Sequence, residues 1–208
     1  VMTFVDGRVL WDPSLPGMTR GERSALYDEM NRVIAALHGV DVVAAGLADY
    51  GKPGSYFERQ IARWGKQYLA SVTQPIEAMD RLMQWLPAHM PASARDESRV
   101  AVVHGDFRLD NLVFHPTEAR VLAVLDWELS TLGDPLADFT YFLMLWQMAP
   151  NAATAGTGIH GLDLPALGIP TIEEAVAQYC KLTSRTGLPQ IDWYLAYNMF
   201  RIAAILQG

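Results

Sequence analysis

The chain contains one cysteine, Cys180, so no internal disulfide can form. A lone thiol fits the reducing conditions of a cytoplasm. Long hydrophobic runs are also missing. The longest candidate, residues 139–148, includes Gln147 and is about half the ~20 residues of a membrane-spanning helix, so no membrane partner is expected. Positive charge is scarce, with 16 Lys and Arg against 23 Asp and Glu, for a net charge of −7 and a pI near 5.1. Such a balance argues against nucleic acid, which needs a basic face. The only lysines are Lys52, Lys66 and Lys181. There is no internal repeat and no low-complexity tract. What remains is a globular chain of 208 residues, half of them hydrophobic, enough for one domain or one large lobe. It opens Val-Met-Thr-Phe-Val rather than on methionine, which predicts that residues precede it.

The periodicity of apolar residues divides the chain into three parts. Residues 1–4 are a largely β-branched and aromatic run that ends at Asp6-Gly7, the pattern of one strand leading into a linker. Thr19–Glu22 is a capping box, followed at helical spacing by Leu26, Met30, Val33, Ile34 and Leu37. Ser55–Glu58 has the same pattern before Ile61, Trp64, Tyr68, Leu69 and Val72. Pro75 suits a first helical position, and Pro87 and Pro91 would end the third helix. The period then shortens. Residues 100–103 read as a strand, and 112–114 with 121–125 as a hairpin. Helices return over 136–148, which is apolar on nearly every face, and after a third capping box at Thr171–Glu174. That helix should end at Gly187. Residues 150–170 read as an irregular insertion, and Asp192 as the N-cap of a last helix. Periodicity alone therefore predicts a mostly helical α+β chain.

The short β segment carries the polar motif. His104-Gly-Asp106-Phe-Arg108-Leu-Asp110-Asn111 is followed by Asp126 in Val-Leu-Asp-Trp-Glu128. These are the groups that phosphoryl transfer requires. A carboxylate, Asp106, accepts or orients the proton of an attacking hydroxyl. An amide oxygen, Asn111, and a second carboxylate, Asp126, hold Mg²⁺ against a triphosphate. Each residue alone reads as a loop or turn residue; the weight lies in the joint pattern. His104 could be a ligand or a base, but the simpler reading is a neutral imidazole holding the loop. Arg108 could contact phosphate or substrate, although a surface ion pair is the plainer alternative. Glu128 either supports the metal site or caps its turn. Asp134 is expected to cap the next helix.

This pattern, H-G-D-x-x-x-x-N followed by an aspartate at the end of an apolar strand, resembles the catalytic loop of the aminoglycoside phosphotransferase-like kinases. That family has Gly where most protein kinases have Arg, and its metal aspartate sits in an I-D-W/F-E/D setting. Gly133-Asp134-Pro-Leu-Ala-Asp138 resembles its G-D-P-x-x-D motif. The resemblance implies a protein-kinase-like fold, ATP and Mg²⁺ as cofactors, and a small-molecule alcohol as acceptor. It implies that Asp138 supports the loop backbone. It also implies that residues 1–10 are the hinge strand and linker between two lobes, and that 11–208 form a C-lobe cut at both ends. On that mapping Thr3 and Val5 would meet the adenine through their backbone, with Met2 behind it. A kinase of this fold also needs an N-lobe lysine, and none of the three lysines lies in a suitable strand; the N-lobe would lie before residue 1.

Residues 139–170 should shape the acceptor side. Asp163 is their only acidic residue, they contain no Lys or Arg, and Phe142, Met144, Trp146 and Met148 make them apolar. A polycationic aminoglycoside would favour carboxylates, so a neutral or partly apolar alcohol is expected. The stretch 51–64 and the region 101–146 are similar to the branch associated with acyl-CoA dehydrogenases, which implies a hydroxy-acid or hydroxyacyl acceptor and a functional link to such a dehydrogenase. The rival class is a noncatalytic, pseudokinase-like binding protein. A third class fails on chemistry: Gly46–Lys52 satisfies G-x-x-x-x-G-K, but Pro53 follows where a P-loop needs Ser or Thr.

Overall fold

The computed structural model describes residues 3–52, 54–150 and 158–207. Its elements run β1 (Arg8–Val9), α1 (Arg20–His38), α2 (Tyr56–Ser71), α3 (Glu77–Ala88), β2 (Ala101–Val103), β3 (Leu112–Phe114), β4 (Val121–Val124), β5 (Thr131–Gly133), α4 (Pro135–Leu143), α5 (Leu164–Leu167), α6 (Ile172–Leu182) and α7 (Ile191–Gln207). Two small antiparallel sheets, β1-β3-β4 and β2-β5, lie on a helical base. This is the mainly helical α+β architecture of a protein-kinase-like lobe, with a hairpin next to the polar loop.

The helices form where local chemistry starts them. Thr19 and Thr171 both complete reciprocal capping boxes, with Glu22 and Glu174. Asp134 accepts from the Leu136 N–H at 2.7 Å and starts α4, which carries Pro135 in its first turn. All nine residues of α4 are buried. The base centres on α7, which packs against α2, α3 and α4. Phe57 of α2 meets Trp193, Tyr194 and Tyr197 of α7 edge-on, at centroid distances of 5.1, 5.5 and 5.0 Å.

Several boundaries differ from expectation, each for a local reason. Thr3–Asp6 is irregular, and Val1 and Met2 lie outside the described residues. A strand forms at Arg8–Val9, where β3 offers a partner: Arg8 pairs with Phe114 and Val9 with Val113. Ser55 does not cap α2. Its φ of 48° is left-handed, whereas an N-cap needs extended backbone, and its N–H goes to Glu97 Oε1 at 2.9 Å. α3 begins two residues after Pro75 and keeps Pro87 in its last turn. α6 stops at Leu182, before Gly187, because Ser184 turns left-handed at φ 54°. Asp192 is the second residue of α7 rather than its cap. β5, Thr131–Gly133, goes beyond the expected strands and pairs with β2, Val102 opposite Leu132. Within 150–170, residues 151–157 lie outside the described ones, and Asp163 caps the single turn of α5. Residues 41–51 form turns, without a strand before Gly46 or a helix at Lys52, which removes a P-loop on structural grounds too.

Candidate active site

The polar loop leaves β2 at Val103 and is held from below by α4. Asp138, fully buried, accepts from the His104 N–H at 2.8 Å through Oδ2 and from the Gly105 N–H at 2.9 Å through Oδ1. Its Oδ2 also meets His38 Nε2 at 3.3 Å, and His38 Nδ1 lies 2.7 Å from the Tyr179 hydroxyl. Burial alone would raise the Asp138 carboxyl. The His38 contact and the two backbone donors outweigh it and hold the group below the ordinary aspartate value. Gly105 has φ +86°, and a Cβ there would stand 2.7 Å from the Leu129 carbonyl oxygen. Only glycine fits this turn. The Gly105 carbonyl accepts from Arg201 of α7.

His104 is fully buried and has both nitrogens in use. Nδ1 accepts from the Asp106 N–H at 3.2 Å, and Nε2 donates to the Leu125 carbonyl at 2.8 Å. The backbone donor fixes the tautomer, with the proton on Nε2. With both nitrogens so engaged, the ring ties the loop to the segment after β4.

Asp106 is half-buried and bound at both carboxylate oxygens. Tyr141 donates its hydroxyl to Oδ1 at 2.5 Å, and Asn111 donates Nδ2 to Oδ2 at 3.0 Å and to the Asp106 carbonyl at 2.8 Å. Two acceptors call for the amide NH₂, so the Asn111 Oδ1 points elsewhere. Asn111 also accepts, through its backbone oxygen, from the Leu125 N–H at 2.8 Å. β3 and β4 pair Leu112 with Val124. Asn111 and Asp126 therefore flank the same end of the hairpin, with Asp126 exposed in a left-handed conformation at φ 63°. The structure thus gathers Asp106, Asn111 and Asp126 at one edge of the lobe.

The remaining candidates sort clearly. Arg108 forms a bidentate pair with Asp110, at 2.6 and 2.8 Å, as the plainer reading expected. Glu128 is exposed in the turn Trp127–Leu129. Thr3 is exposed and Val5 half-buried in irregular chain, while Met2 lies outside the described residues. Sequence reasoning missed His38, Tyr141 and Arg201. A signal existed for Arg201: a charge in the apolar run of α7 must be paired. It lies buried, its guanidinium 5.6 Å from the Trp64 ring centre and 5.0 Å from that of Tyr141.

Beside the loop lies a cavity of about 170 Å³, lined by Phe107, Tyr141, Phe142, Leu145, Met148 and Ile202 among others, with Arg108 and Asp110 among its polar walls. Met144 also lines it. Trp146, expected to do so, faces the core instead, with its indole N–H on the Pro170 carbonyl at 2.8 Å. No helix among the described residues is long and apolar enough to cross a membrane.

A helical lobe that presents this loop from a short hairpin has the fold of the kinase-like phosphotransferases. The model described as the phosphotransferase enzyme family (APH) matches residues 1–174, and the chain belongs to that family. A crystal structure from Ralstonia eutropha, provisionally called an aminoglycoside phosphotransferase, is 60% identical with a TM-score of 0.93, covering 99% of this chain and 61% of that one. Acyl-CoA dehydrogenase family member 10 of Mus musculus is 48% identical across the whole chain, and family member 11 of Homo sapiens 39%. The chain spans 19% and 26% of those two proteins. A Streptomyces rimosus aminoglycoside phosphotransferase, solved with ADP and streptomycin, shares the fold at a TM-score of 0.61 and 14% identity, over 93% of this chain and 68% of that one.

Proposed function

We propose that this chain is the acceptor- and metal-binding lobe of an ATP- and Mg²⁺-dependent phosphotransferase that acts on the hydroxyl of a small hydroxy acid or hydroxyacyl compound. Residues 1–10 serve as hinge and linker, with the backbone of Thr3 and Val5 toward adenine, and 11–208 as the C-lobe. The observation that carries the reading is the grouping of the three: Asn111 donates to Asp106, and the backbone bond from Leu125 to Asn111 brings the residue before Asp126 to the same end of the hairpin.

The donor set fits Mg²⁺. The Asn111 Oδ1 is turned away from Asp106, and Asp126 is an exposed carboxylate; both are hard oxygen ligands, and Mg²⁺ keeps waters for the rest. When bound, the ion supplies positive charge to the phosphate oxygens. The protein's own work is positional. Asp106 holds the acceptor hydroxyl and takes its proton, Asn111 steadies the carboxylate, and Asp138 keeps the loop backbone in place.

The apolar cavity supports an acceptor with a hydrocarbon body over a polycation. The mammalian relatives, acyl-CoA dehydrogenase family members 10 and 11, support a link to acyl-CoA dehydrogenase chemistry. Nothing at the trio favours a noncatalytic binder. The test is a panel of hydroxy acids, their acyl thioesters and aminoglycosides, incubated with the natural-length protein, Mg²⁺ and ATP, with products read by mass spectrometry. Phosphorylated hydroxy acids are expected. Phosphorylation of aminoglycosides alone would refute the acceptor assignment.

A further inference from the structure

Tyr141 has no part in the trio's pattern, yet it touches the base directly. Its hydroxyl donates to Asp106 Oδ1 at 2.5 Å, while Asn111 occupies Oδ2 at 3.0 Å. Donors on different oxygens fix the plane of a carboxylate, which one donor would leave free to rotate. Tyr141 lies three residues after Asp138 on α4. One face of one helix therefore holds the loop twice, its backbone through Asp138 and its carboxylate through Tyr141. The ring is itself fixed: it is buried, and the Arg201 guanidinium lies 5.0 Å from its centre while bonding to the Gly105 carbonyl. The same ring forms a wall of the apolar cavity.

We propose that Tyr141 is a positioning residue for phosphoryl transfer, aligning Asp106 toward a hydroxyl presented from the apolar cavity. The inference rests on the phosphotransferase reading above. In the step it serves, the acceptor oxygen bonds to the γ-phosphorus, the bond from that phosphorus to the bridging oxygen breaks, ADP leaves, and the acceptor's proton passes to Asp106. Tyr141 keeps its own proton throughout. Burial and the neighbouring Asp106 charge both push the phenol above its ordinary value, so it stays a donor.

Tyr141→Phe removes the hydroxyl and leaves the ring. In the natural-length protein, kcat should fall by about 10- to 100-fold, the range expected for a mis-set catalytic group. KM for the acceptor should stay within about twofold, because the cavity wall is unchanged. Unchanged kcat, or a rise in KM that accounts for the whole loss, would overturn the proposal. A second measurement needs no acceptor. Denaturant midpoints of Tyr141→Phe, Asp106→Ala and the double variant should be non-additive, since each single change removes the same bond; strict additivity would also overturn it. If the unaltered protein phosphorylates no acceptor while the midpoints remain non-additive, the phosphotransferase reading fails and takes the positioning role with it, leaving the clamp as architecture.

Discussion

At the scale of single residues, the loop depends on two features that tolerate no substitute. Gly105 combines a φ of +86° with a Leu129 carbonyl 2.7 Å from where a Cβ would stand. Gly105→Ala should therefore cost about 2 kcal/mol or more and lower turnover, read by urea unfolding and steady-state rates. Asp138 receives two backbone N–H donors and the His38 ring. Asp138→Asn turns an NH₂ toward one of those donors, and a loss of about 1–3 kcal/mol is expected, with reduced activity. Wild-type stability in that variant would contradict the assignment of Asp138 as the loop's support. The grouping of Asp106, Asn111 and Asp126 is legible in sequence because their spacing is local to one hairpin. His38, 100 residues from Asp138, is not, because nothing in a chain says which distant helix end will meet a buried carboxylate.

At the scale of elements, α4 joins stability to pH. Its cap, Asp134, is buried, and burial outweighs the Leu136 hydrogen bond and the charges of Arg185 and Arg99, raising the carboxyl from 3.8 to about 6. The native state thus holds this proton more tightly than the unfolded chain does. The group's contribution is full below its unfolded value and is lost as pH rises through about 6. Asn caps as well as Asp, so Asp134→Asn should gain stability over wild type at about pH 7.5 and much less at about pH 4.5, by about 1–2 kcal/mol in the difference. An equal effect at both pH values would contradict the burial argument. The capping boxes at Thr19 and Thr171 were legible because a four-residue pattern carries its own hydrogen bonds. The same pattern failed at Ser55, where a tertiary bond to Glu97 holds the backbone left-handed. Residues 3 and 4 of the strand expected over 1–4 are irregular for a related reason: a strand exists only beside a partner, and β3 pairs with Arg8–Val9.

At the scale of the whole molecule, the helical base carries a polar edge and, next to it, an apolar cavity. On the proposed reading, that juxtaposition selects the acceptor. Met148, half-buried in the cavity wall, is a place to test it. Met148→Lys should raise KM for a hydroxy-acid acceptor by about tenfold while leaving KM for ATP unchanged, the scale on which pockets discriminate. An equal rise in both would place the cavity outside acceptor binding. The most direct test of the central claim is phosphoryl transfer by the natural-length protein beside its Asp106→Ala variant, with nucleotide affinity measured in both. The account predicts transfer by the unaltered protein, its loss by at least about 100-fold in the variant, and unchanged affinity for Mg²⁺-ATP. Undiminished transfer without the Asp106 carboxylate would contradict it.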